Sequence, residues 1–143
     1  LNSSFLGNHP AALVYLKAAA EKGLGIAQYN LSLKYLAPEP SQNEKGFTEK
    51  QKQAHAKWVC QAAVSGIAAA QFGCARTYRQ GFGRKKDLIQ AYFWNHMAKE
   101  NKTRQVIGDF SLKEDVSKFQ FLIEKEMHPE QITAAKKLIN GRK

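Results

Sequence analysis

The feature that most constrains this chain is that it resembles itself at a spacing of 43 residues. Tyr15, the Ala19-Ala20 pair and Gly23 are matched by Trp58, the Ala62-Ala63 pair and Gly66. The match continues past the glycine, with Ala27-Gln28-Tyr29 against Ala70-Gln71-Phe72 and Tyr35 against Tyr78. A partial third copy follows 36 residues on, where Ala91, Trp94 and Ala98 stand for His55, Trp58 and Ala62. Self-similarity at a fixed period points to stacked units, each unable to bury its apolar face alone.

The period resolves into helical hairpins. Ala12, Leu13, Leu16, Ala19 and Ala20 recur at the spacing of one helical stripe. The Ala pairs allow the following helix to approach closely, and the aromatic one turn earlier fills the wider part of the hairpin. Gly23 and Gly66 fall where a helix ends on a left-handed residue. The next helix starts within a few residues, so the chain folds back as an αα-hairpin. Gly81 and Gly83 close the second hairpin, and Asp87 with Gln90 forms a capping pattern for the next helix. Further on, Ser111 with Glu114 reads as a capping box opening a helix that carries Val116, Phe119, Leu122 and Ile123. His128-Pro129-Glu130-Gln131 then starts a final amphipathic helix that ends at Gly141.

The run Trp58-x-x-x-Ala62-Ala63-x-x-Gly66, Ala70-Gln71-Phe72 and Tyr78-Arg-Gln-Gly81-Phe-Gly83-x-x-x-Asp87 resembles the Sel1-like repeat, a relative of the tetratricopeptide repeat. The resemblance implies an all-α fold: a short right-handed α-solenoid of antiparallel helix pairs with a C-terminal capping helix. It covers about residues 11–140, and residues 1–143 are read as one domain. Repeat one spans 11–37, an insertion 38–53, repeat two 54–83, and a degenerate third repeat with its cap 87–141. The insertion stands where the family has a short Gly-x-Gly loop. Final Pro-Glu-Gln helices are also common at the end of Sel1-like arrays.

Composition narrows the function classes. Hydrophobic residues make up 43% and charged residues 24%, which suits a folded domain rather than a disordered one. No apolar run approaches the ~18–20 residues of a membrane span. The first residue is Leu1 rather than Met, so the natural N-terminus is expected to lie elsewhere, and the missing signal segment says nothing about compartment. The net charge of +10 is concentrated in residues 51–100, which hold 8 basic and 2 acidic groups, with a cluster at Arg84-Lys85-Lys86. That distribution favours an acidic partner and keeps nucleic acid as an alternative.

Catalytic chemistry finds no motif. No serine has a lysine three residues on, and no G-x-S-x-G occurs, so the β-lactam hydrolysis credited to some cysteine-rich relatives is not expected. Gly81-Phe82-Gly83-Arg84-Lys85-Lys86 lacks the spacing of a phosphate loop. The histidines, His9, His55, His96 and His128, sit in different elements without metal-ligand spacing. The chain is therefore read as no enzyme, without cofactor or metal, and small-molecule binding is not expected. Cys60 and Cys74 are equidistant from the second hairpin's turn and could face each other. The favoured reading is two free thiols at small core positions, the alternative a disulfide that would place the protein outside the cytoplasm.

The expected function is a protein–protein interaction scaffold or adaptor. Sel1-like surfaces are concave along the first helix of each pair. First-helix side chains left unexplained by the core pattern are the binding candidates: Lys17, His55, Gln61, Tyr92, Phe93, His96 and Lys99. Tyr92 and Phe93 are the strongest as aromatic anchors, with packing under the third repeat as the competing reading. The basic loop Arg84, Lys85, Lys86 is a second contact surface. Two other readings stay open: a nucleic-acid surface built from Arg76, Arg79, Arg84, Lys85 and Lys86 with Tyr78 and Phe82, and a structural end piece of a longer array.

Overall fold

A computed structural model describes residues 10–36, 46–102 and 112–142. Among these are seven helices: α1 (Pro10–Glu21), α2 (Gly25–Lys34), α3 (Glu49–Val64), α4 (Ala68–Gln80), α5 (Leu88–Glu100), α6 (Leu112–Glu126) and α7 (Pro129–Gly141). Each helix packs on the next up to α6, and α7 folds back onto α5. The result is a stack of antiparallel helix pairs closed by a terminal helix. The expected capping residue Ser111 and half of the expected insertion, residues 38–45, lie outside the described residues.

The repeat spacing has a local cause in hydrogen bonds. At the end of α3, Gly66 adopts φ 95°. Its N–H donates to the Ala63 carbonyl, and the Ile67 N–H donates to that of Ala62. Gly23, at φ 90°, ends α1 in the same way through the carbonyls of Ala20 and Ala19. Both are Schellman closures, which satisfy the last helical carbonyls and need a left-handed residue.

The Ala-Gln pairs gain their meaning here. Gln28 Nε2 donates to the Ala20 carbonyl at 3.2 Å, and Gln71 Nε2 donates to that of Ala63 at 3.3 Å. Each glutamine oxygen accepts from the next unit: Gln28 Oε1 from Ser65 Oγ at 2.8 Å, Gln71 Oε1 from Asn101 Nδ2 at 2.9 Å. One buried amide thus ties its own hairpin together and the following hairpin to it, leaving little polar demand unmet.

Helix α3 begins inside the span 38–53. Thr48 caps α3, accepting from the Gln51 N–H at 3.1 Å, while Gln51 Oε1 accepts from the Thr48 N–H at 2.9 Å. The first turn of α3 therefore occupies 49–52, and the Thr-x-x-Gln signal of a capping box marks its start.

The core runs through α3, α4 and α5. Val59, Ala62, Ala63, Ile67, Ala70, Cys74 and Ala75 meet Ala91, Tyr92, Phe93 and Trp94, and Phe119, Ile123, Met127 and Ala135 close it from α6, the turn after it and α7. Asn95 is fully buried among them, its Nδ2 donating to the Val116 carbonyl and to Gln120 Oε1. It fixes α5 against α6 by hydrogen bonds, which apolar packing alone does not specify.

The cysteines correct the reading of free thiols. Cys60 and Cys74 are joined in a disulfide, with Cα atoms 4.9 Å apart. Close approach is possible because both α3 and α4 present small residues at their contact: a Cβ at Gly73 would sit 2.9 Å from Val59 Cγ2.

Candidate interaction groove

A groove of about 900 Å³ runs along α4. Its floor is Ala68, Ala69, Phe72, Gly73 and Thr77 on that helix. Tyr29 and Leu33 of α2 form one wall, and the end of α5 with the start of α6, from Ala98 to Lys102 and Leu112 to Ser117, contributes the other. His55, Val59 and Phe82 close the end near the Gly81–Gly83 turn. Its apolar floor is rimmed by Arg76, Lys99, Lys102 and Lys113, with Glu100 and Asp115 as the acidic members. This mixture of an apolar base and a few charged rim groups suits a side-chain-bearing ligand segment.

The groove lies mainly on the second helices α2 and α4 and on α6, where the sequence reading placed the binding surface on the first helices. Of the expected binding residues, His55 and Lys99 line it. Lys17 and Gln61 are exposed elsewhere, and Lys85 and Lys86 are exposed on the turn after α4. His96 is half-buried. Tyr92 and Phe93 are buried in the core, so neither presents an aromatic anchor to a partner. Burial also pushes the Tyr92 phenol above its ordinary pKa, and the Glu124 carboxylate adds to this.

The sequence reading took Phe72 as a repeat position and Arg76 only for the nucleic-acid alternative, and it named no α6 residue for binding. Phe72 packs edge-on against Phe119 at 5.4 Å, and the Arg76 guanidinium lies over the Phe72 ring at 5.8 Å. The signal was present: Phe72 and Arg76 are one helical turn apart, and the repeat pattern itself placed Phe72 opposite Tyr29.

His55 is a structural member of the groove end. It is 7% exposed, and its Nδ1–H donates to the Ser32 carbonyl at 2.8 Å, across the junction between the first two units. Its ring also meets Phe82 edge-on at 5.7 Å. Burial lowers its pKa, opposed by the Ser32 hydrogen bond and reinforced by Arg76. The folded state therefore prefers neutral imidazole, while the unfolded chain takes up a proton near pH ~6.5. This contribution to stability is complete above that pH and is lost as pH falls below it, with a slope of at most about 1.4 kcal/mol per pH unit. Urea unfolding between pH 7.5 and 5 should show this loss in the native chain, and His55→Gln should flatten the profile over that window.

Comparisons with known proteins agree with this architecture. The crystal structure of c5321, a protective antigen present in uropathogenic Escherichia coli strains and displaying a Sel1-like repeat fold, superposes with a TM-score of 0.69 at 27% sequence identity, over 90% of this chain. The chain has the Sel1-like repeat fold. It spans 24% of the length of c5321. No family model matches the sequence, and no curated protein does. The Sel1-like repeat fold therefore rests on the shared solenoid together with the chain's own internal period.

Proposed function

We propose that this Sel1-like repeat chain is an interaction scaffold that holds a segment of a partner protein in the α2–α4–α6 groove. The observation that carries the reading is the groove itself: a long apolar floor, four cationic side chains on its rim and two carboxylates. That composition suits a segment with apolar residues facing the floor and acidic residues facing Arg76, Lys99, Lys102 and Lys113. No catalytic role is assigned, and no group of three or more metal-ligating side chains is found among the described residues.

The nucleic-acid reading has less to stand on. Arg79 is paired with Glu126 at 2.8 Å and lies over Phe119. Arg84 lies over Tyr78. Two of the five cations that reading needs are thus engaged in packing, and both rings that should stack on bases take part in packing as well: Tyr78 under Arg84, and Phe82 against Phe47 and His55. Affinity capture at low and high salt, with and without nuclease, separates the two. A discrete protein retained under all conditions supports the scaffold, and nucleic acid lost on raising salt supports the alternative.

A second reading has its own observation. Leu24 is 58% exposed, whereas Ile67, its counterpart 43 residues on, is 7% exposed because the preceding hairpin covers it. A Cβ at Gly25 would touch Ser65 and Ile67, so the two units meet at close range there. Tyr15 and Val14 are exposed on α1 as well. By the same repeat geometry, this apolar face fits another Sel1-like hairpin, as in an array longer than the described repeats.

A further inference from the structure

We propose that Cys60 is a thiolate nucleophile for low-molecular-weight disulfides, with Arg84 as its activating cation and Cys74 as the resolving thiol. The two sulfurs sit in unequal surroundings. Cys74 is 0% exposed, in the middle of α4, whereas Cys60 is only partly buried. Arg84 Nη1 donates to Cys60 Sγ at 3.1 Å. A sulfur within a disulfide is a weak acceptor for a guanidinium, and a thiolate is a strong one.

Arg84 is held for this contact by features that do not depend on the bridge. Its guanidinium lies 4.0 Å from the centre of the Tyr78 ring. The loop that carries it is fixed by the Phe82 N–H donating to the Thr77 carbonyl and the Asp87 N–H donating to that of Tyr78, both at 2.9 Å. Arg84 Nε is buried with no hydrogen-bond partner, and no salt bridge reaches the side chain among the described residues. The atom directed at the sulfur is Nη1.

Other cations stand on the elements around Cys60. Lys57 is one turn back on α3, Arg76 and Arg79 are on α4, and Lys85 and Lys86 follow Arg84. Arg79 is paired with Glu126, and the carboxylate of Asp87 caps α5 by accepting from the Gln90 N–H. A thiol next to a guanidinium moves down into the neutral range, whereas a thiol buried in apolar surroundings moves up. Cys60 meets the first condition and Cys74 the second.

The reaction is ordered accordingly. In the reduced protein the Cys60 thiolate attacks one sulfur of a small aliphatic disulfide, whose S–S bond breaks. One small thiolate leaves with the electron pair and is protonated by water, and a mixed disulfide remains on Cys60. Cys74 then attacks Cys60 Sγ, the mixed S–S bond breaks, and the second small thiolate leaves with the electron pair and takes up the Cys74 proton. The protein thiols are oxidised by two electrons and the small disulfide is reduced to two thiols.

The test uses protein reduced with a phosphine and freed of it, with 2-hydroxyethyl disulfide as the probe. In Cys74→Ser, mass spectrometry should find a mixed disulfide at Cys60, and alkylation by iodoacetamide should titrate below about pH 7.5, against ~8.5 for an ordinary thiol. Adding Arg84→Gln should return the titration to the ordinary range. Reduced native chain, pulse-labelled and digested, gives the same comparison without a cysteine variant: Cys60 should label at least tenfold faster than Cys74. Equal labelling, faster labelling of Cys74, or a Cys60 titration unchanged by Arg84→Gln would each overturn the assignment.

Discussion

Replacing Gly83 with valine is expected to cost about 3 kcal/mol or more of stability, seen as a lower urea midpoint with an unchanged slope. Two causes add. Gly83 adopts φ 71°, a left-handed conformation that costs a residue with a Cβ about 1–2 kcal/mol and a β-branched one more. A Cβ there would also collide with the Lys52 carbonyl and the Gln53 nitrogen, which are backbone atoms of α3 and cannot rotate away. The loop would have to lift, pulling Phe82 off His55 and Phe47. Gly23→Val is the control, because φ is 90° there but nothing lies within 4 Å of the added Cβ. It should show the conformational cost alone, so the difference between the two variants measures the packing of the turn on α3.

Reduction of the Cys60–Cys74 bridge is expected to cost about 3 kcal/mol, the scale for a closed loop of this size. For a chain of this length that corresponds to a fall in melting temperature of about 10 °C. The bridge ties α3 to α4 at the centre of the core, where Val59 and Thr77 also line the groove. Thermal unfolding followed by circular dichroism, with and without a phosphine reductant, reads this directly. A fall of less than about 3 °C would mean that helix packing alone holds the hairpin.

Much of the fold was legible because the repeat imposes the same local chemistry twice. Gly23 and Gly66 end helices alike, and Ala-Gln recurs because each glutamine must reach a carbonyl one helix back. The proposed binding groove was less legible, for reasons that lie in three dimensions. Tyr92 and Phe93 were read as lying on the open face of a first helix. However, α5 is packed against α4, α6 and α7 together, so little of its surface stays open. His55 stood out as a polar residue at an apolar position, but its partner is the Ser32 carbonyl of the preceding unit, 23 residues away. The disulfide was open to either reading, since equal distance from a turn permits a bridge without requiring one.

The central claim is that the groove along α4 binds a partner protein. Its most direct test is capture from a lysate of the source cells with three baits: the native chain, a groove variant carrying Ala69→Glu and Arg76→Glu, and an end-face variant carrying Tyr15→Ser and Leu24→Ser. The account predicts one discrete protein held by the native chain through high salt and nuclease, kept by the end-face variant, and lost at least tenfold with the groove variant while that variant's helix content is unchanged. Equal retention by the folded groove variant, or loss only with the end-face variant, would contradict it.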